Sequence, residues 1–178
     1  MNSLRALGYT THEPVGQDGR RCQILAFIHQ AEFTNYLSPG LVTVDEVEAG
    51  MIKWLTEHGG DTIIIAKKGD SGVLARICDA WVASEVEAIK ERRRSAQGDH
   101  FTLPALLGWA YERTGRLASI VVMEGSKVVC TQYAPGHEDD EVEASLRLLY
   151  TGNHYLSVVP LARCAADLFE SARVVCTP

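Results

Sequence analysis

No apolar run in this sequence reaches the ~18 residues that a membrane-spanning helix needs, so no membrane partner is expected. The N-terminus, with Arg5 and a polar stretch by residue 10, lacks the apolar core of a signal peptide. The chain therefore reads as cytosolic, or as working in the host cytosol if its source is a pathogen. Positive charge is also short: 17 Lys and Arg stand against 23 Asp and Glu, a formal net charge of −6. That argues against nucleic acid as the main partner. The one clear basic run, Lys90 to Arg94, falls at the end of an expected helix, where the dipole favours solvated cations. The five cysteines, Cys22, Cys78, Cys130, Cys164 and Cys176, are odd in number and show no CxxC spacing. A zinc ribbon and a fully paired disulfide framework are both disfavoured, and no metal or cofactor is expected. Repeats and low-complexity segments are lacking as well.

What remains is a chain of 178 residues, 46% apolar and 22% charged, which fits one domain with a substantial core. Residues 1–21 are polar and Gly-rich, with a turn at Gly16-Gln17-Asp18-Gly19. From Cys22, apolar residues at Ile24, Leu25, Phe27, Ile28 and Ala31 predict a largely buried helix that ends near Leu37. Thr43-Val44-Asp45-Glu46 is a capping box for a second helix running to His58, with Val47, Met51, Trp54 and Leu55 on one face. Thr62–Ala66 reads as a short strand or an ambiguous apolar run. From about Ser71 to Ile89 the apolar spacing predicts a helix, and another should run from Thr102, with Pro104 in its first turn, to Gly115. Thereafter the period changes. Residues 117–123, 127–133, 145–151 and 154–159 read as strands, the last two forming a hairpin across Gly152-Asn153. Pro160 opens an expected final helix to about Ser171. Helices first and strands later give an α+β class with a mainly antiparallel central sheet flanked by helices.

A thiol is a useful nucleophile only when part of it is thiolate, and a helix N-terminus favours that form. Among the five cysteines, Cys22 alone follows a Gly-containing turn and opens a helix. Asp18-Gly19-Arg20-Arg21 can aim backbone N–H groups at a developing oxyanion, with two arginines favouring negative charge. The competing reading is a buried cysteine that merely begins a core helix. Cys78, Cys130 and Cys164 read as packing residues. A nucleophilic cysteine needs a base, and His154 stands out among six histidines because it opens an apolar strand directly after a turn. Its competing reading is a strand-edge imidazole facing water.

The two positions together resemble the ovarian tumour (OTU) family of cysteine deubiquitinases. The family's Asp-Gly-x-Cys turn is matched by Asp18-Gly19-Arg20-Arg21-Cys22, with the small residue Ala26 four positions on. Its Leu- and Ala-rich helix before a strand is matched by Gly98 to Leu107 leading into Ile120-Val121-Val122. Its closing signature is matched by Leu148-Leu149-Tyr150-Thr151-Gly152-Asn153-His154-Tyr155-Leu156-Ser157-Val158-Val159. The match runs from about residue 15 to 160, with the cysteine and histidine about 130 residues apart. Two departures stand out: one extra residue lies before Cys22, and Leu156 occupies the place where the family often carries Asp or Asn.

The resemblance implies an OTU-like, papain-like catalytic domain over 1–178, with 1–15 an N-terminal extension and 160–178 a C-terminal helix and tail. It implies hydrolysis of the isopeptide bond after the ubiquitin C-terminal glycine, with Cys22 as nucleophile and His154 as base. Asn153 is the favoured orienting residue, with Asp18 or Glu13 as the alternative. Gly19, Arg20 and Arg21 would form the oxyanion loop, Tyr155 and Trp109 would line the tail channel, and Glu138 and Asp139 would face the tail's arginines. Ubiquitin, polyubiquitin chains or ubiquitin-like modifiers are the implied partners. Three other readings stay open: a papain-like protease of other specificity such as a viral polyprotein processor, a non-catalytic ubiquitin-binding module, and a structural α+β interaction domain.

Overall fold

The computed structural model describes residues 2–12, 21–60, 62–65, 73–76, 79–91, 102–152 and 154–161. Among these residues five helices and seven strands follow in the order α1 (Asn2–Ala6), β1 (Tyr9–His12), α2 (Cys22–Phe33), α3 (Val44–Glu57), β2 (Thr62–Ile65), β3 (Val73–Arg76), α4 (Asp79–Lys90), α5 (Thr102–Thr114), β4 (Ala118–Glu124), β5 (Lys127–Tyr133), β6 (Ala144–Tyr150) and β7 (Tyr155–Pro160). The class is α+β, as expected, and the main sheet is mixed. Its order is β1-β7-β6-β4-β5, with β4 and β6 parallel and the other neighbours antiparallel. β2 and β3 form a separate antiparallel pair. Among the described residues no helix is long and apolar enough to cross a membrane.

Strand alternation gives the sheet two faces. Ile120, Val122, Leu146, Leu148 and Tyr155 join the main core with α2, α3 and α5. Met123, Leu149 and Val158 point the other way, onto Leu4 of α1. Gln30 of α2, 2% exposed, ties the helix to the sheet. Its Nε2 donates to Ser157 Oγ at 2.7 Å and to the Val158 carbonyl at 2.8 Å, while its Oε1 accepts from the Arg147 N–H at 2.8 Å. His29 Nδ1 also meets Ser157 Oγ at 2.6 Å.

α3 and α5 interlock through reciprocal glycine and tryptophan pairs. A Cβ at Gly108 would lie 2.2 Å from Trp54 Nε1, and one at Gly50 would lie 2.0 Å from Trp109 Nε1. Each indole therefore occupies the space that any other residue's side chain would fill on the facing helix.

Three expectations are corrected. The helix from Cys22 stops at Phe33, not near Leu37, because Asn35 adopts φ 57° and closes it. Tyr36 N–H reaches the Ala31 carbonyl at 2.8 Å and Asn35 N–H the Glu32 carbonyl at 3.0 Å, which is a Schellman ending. The long helix expected from Ser71 is a strand followed by a shorter helix: residues 73–76 pair with β2, and α4 begins only at Asp79. Within residues 1–12, β1 pairs along β7 from Tyr9↔Pro160 to His12↔Ser157. Pro160 does not open the final helix as expected but closes β7, paired with Tyr9; the rest of that expected helix, from 162 on, lies outside the described residues.

Candidate active site

The direction of α2 determines where Cys22 sits. At the helix's C-terminal end, Arg116 donates from Nη1 to the carbonyls of Asn35 and Tyr36 at 3.1 and 3.0 Å, and Tyr36 Oη donates to the Arg116 carbonyl at 2.8 Å. Arg116 stands two residues before β4, so this end of α2 lies where β4 and β6 begin. One turn back from that end, Gln30 bonds Arg147, Ser157 and Val158 in the middle of β6 and β7. The helix N-terminus must then point to the end of the sheet where β6 finishes and β7 starts. Eight residues of helix from Gln30 back to Cys22 cover about 12 Å. Three residues of strand from Ser157 back to His154 cover about 10 Å. Both expected catalytic residues thus come to the same end of the sheet.

Cys22 is the first residue of α2 and is 3% exposed. Arg21, at the N-cap, makes no side-chain cap, so the positive end of the helix dipole is not offset by a capping side chain from that position. The Arg21 guanidinium instead grips α3, with Nε 2.8 Å and Nη2 3.1 Å from the Glu48 carboxylate and Nη2 2.7 Å from Asp45. Burial alone would lower the Arg21 pKa, but the hydrogen bonds and charges of Glu48 and Asp45 outweigh it and raise the value. Next to Cys22, the buried Gln23 accepts a 2.7 Å hydrogen bond from Thr102 Oγ1 at the start of α5. That contact brings the first turns of α2 and α5 together.

His154 immediately precedes β7 in a tight turn, where its carbonyl accepts from Thr151 N–H at 3.0 Å and from Thr151 Oγ1 at 3.3 Å. Its Nε2 is sealed from solvent. Tyr155, 2% exposed, stands in the same apolar cluster as Cys22, its ring 5.0 Å from that of Tyr150. A cavity of about 270 Å³ opens at this end but on the α1 face, lined by Leu4, Tyr9, Leu149 and Leu156 among others.

The remaining expected site residues scatter. Asp18, Gly19, Arg20 and Asn153 lie outside the described residues, as does Glu13. Trp109 is 8% exposed and packs against Gly50 and, edge to face, Phe27, so it belongs to the helix interlock. Glu138 and Asp139 follow β5, at the end where β4 and β6 begin. The full length of β6, about 20 Å, separates that end from the Cys22 end. Cys130 is buried in β5, as its strand position suggested. Sequence reading passed over His12 and His29, whose rings stack at 4.0 Å above Ser157. No short motif signals that cluster, because its members are brought together by the β1–β7 pairing.

Among the described residues no group of three or more His, Cys, Asp or Glu side chains converges to hold a metal ion. No protein-family model matches this chain, and no curated protein matches its sequence.

Proposed function

We propose that this chain is a thiol-dependent hydrolase of the OTU deubiquitinase type, with a papain-like arrangement of nucleophile and base. What supports the reading is that Cys22, first in a helix with no side-chain cap at Arg21, and His154, with its Nε2 buried, stand on elements that lead to one end of the sheet. In this reading His154 takes the thiol proton and Cys22 attacks the carbonyl carbon of ubiquitin's C-terminal glycine. His154 then returns the proton to the departing lysine amine, and water cleaves the resulting thioester. Backbone N–H groups at the start of α2 face the oxyanion. The orienting residue is Asn153 or Asp18.

One observation favours a second reading, a ubiquitin-binding module without catalysis: Cys22 is only 3% exposed, so attack requires a movement that uncovers it. Ubiquitin carrying a C-terminal electrophile separates the two. A mass gain of one ubiquitin on the wild type and none on Cys22→Ala is the expected result. Labelling of Cys22→Ala would move the nucleophile elsewhere. Binding without labelling would leave the non-catalytic module, and neither binding nor labelling would remove ubiquitin as the partner.

A further inference from the structure

A groove of about 430 Å³ opens between the last turn of α3, the middle of α5 and the loop from β5 to β6. It lies at the opposite end of the sheet from Cys22. Its walls are aromatic, built from Trp54 and Tyr111, with the imidazoles of His58 and His137 each 4.5 Å from one of those rings. Gly108 is in its lining, and that residue can carry no side chain because Trp54 fills the space.

Carboxylates surround these rings. Glu112 Oε1 lies 3.4 Å from His58 Nε2, and Asp140 Oδ2 lies 2.7 Å from His137 Nδ1. Glu138 Oε1 accepts from the Gly136 N–H at 3.2 Å, and Asp139 and Glu141 are exposed beside it. Among the described residues no lysine or arginine lines the groove. Of the two nearest in sequence, Lys53 pairs with Glu57 at 3.8 Å, and Arg113 has its guanidinium 5.9 Å from the Trp109 ring centre.

This combination selects a ligand by elimination. An anion would meet Glu112, Glu138 and Asp140, and a purely apolar group would strip water from those carboxylates without pairing them. A cation is drawn both by the ring faces and by the carboxylates. A planar guanidinium can stack on an aromatic ring and donate in its plane to a carboxylate at once, which a compact ammonium cannot. Each carboxylate has acceptor capacity beyond its one observed contact.

We propose that this groove binds an arginine side chain presented by a partner protein, stacked on Tyr111 and paired with Glu112 and Glu138. The test uses the intact chain and two blocked tripeptides, acetyl-Gly-Arg-Gly-amide and its citrulline counterpart, which keeps the shape and loses the charge. Titration is followed by NMR of the indole and backbone N–H groups. The expected result is saturable shifts centred on Trp54, Tyr111 and His137, with the citrulline peptide binding roughly fivefold more weakly or worse. Glu112→Gln and Glu138→Gln, both on the surface, should each weaken arginine binding roughly two- to fivefold without moving the urea midpoint. Equal binding of the two peptides would overturn the proposal, as would shifts centred elsewhere or undiminished binding by both variants. Neither Cys22 nor ubiquitin enters the experiment, so its outcome is independent of the thiol-hydrolase reading.

Discussion

The interlock of α3 and α5 makes a quantitative prediction about two glycines. A Cβ at Gly108 would stand 2.2 Å from Trp54 Nε1, 2.4 Å from Cε2 and 2.9 Å from Cζ2. Ordinary contacts between such atoms are about 3.5 Å or longer, so the indole would have to retreat by about 1.3 Å. That retreat is opposed by packing: Trp54 is 3% exposed, and its ring is stacked at 4.5 Å on His58. Replacing a helical glycine by alanine should by itself stabilise by about 0.5–1 kcal/mol. Overpacking a rigid core typically costs about 1–3 kcal/mol, and a shift this large belongs at the upper end. Gly108→Ala is therefore expected to destabilise the protein by about 2 kcal/mol, read as a lower urea midpoint at unchanged slope.

A double-mutant cycle isolates the cause. In a Trp54→Phe background the clash is relieved, and Gly108→Ala should become neutral or stabilising by up to about 1 kcal/mol. Gly50→Ala should behave in the same way but couple to Trp109, whose Nε1 and Cδ1 lie 2.0 and 2.1 Å from the added carbon. A Gly108→Ala protein within 0.5 kcal/mol of wild type, a threshold of about the noise of such measurements, would refute the reasoning. So would a penalty that persists undiminished when Trp54 is shortened.

Two further predictions concern polar contacts. Gln30→Leu removes three hydrogen bonds and leaves the Arg147 N–H without its acceptor, so a loss of about 2–4 kcal/mol is expected in urea unfolding; a change under 1 kcal/mol would contradict the anchoring role. The Glu46 carboxyl is held below its ordinary 4.5 first by the Thr43 backbone N–H and then by its hydroxyl. Because the folded value is the lowered one, its contribution is complete above 4.5 and fades as pH falls through the folded value. NMR titration of wild type and Thr43→Val, which keeps the backbone donor and loses the hydroxyl, should show the Glu46 midpoint move only part of the way back; no movement would contradict the assigned share of the hydroxyl.

Legibility in the sequence followed the range of the interaction. The Thr43–Glu46 capping box is complete within four residues, and α3 begins where it predicts. The Schellman ending at Asn35 is equally local and was legible in principle, since asparagine is one of the few residues that tolerates positive φ. Residues 73–76 are harder. Val73-Leu74-Ala75-Arg76 is too short for its period to distinguish strand from helix, and pairing with β2 decides the matter. β1 is harder still. Thr10, Thr11 and His12 carry no apolar alternation because they form an edge strand, and only the partner β7 makes them one. The hairpin of β6 and β7 lay at the other extreme, with both strands apolar and the turn glycine at φ 93°.

The candidate site depends on the least legible contacts of all. Cys22 and His154 are each set by local features, a helix start and a turn, but their meeting at one end depends on how far α2 has slid along the sheet. That position is fixed by Gln30 against Arg147 and Ser157, and by Arg116 against Asn35 and Tyr36, contacts that join residues roughly 80 to 130 positions apart. One residue's slip along α2 would move the thiol by about 1.5 Å, enough to impair a proton transfer that needs hydrogen-bond range. At the other side of Cys22, Thr102 holds Gln23 by a 2.7 Å bond, and Thr102 heads the same helix that Gly108 locks to α3. The start of α2 is therefore braced from both directions by buried contacts that no short motif in the chain announces. In this architecture the position of Cys22 is a property of the core, and the glycine interlock and the Gln30 anchor are the places where it can be disturbed without touching the thiol.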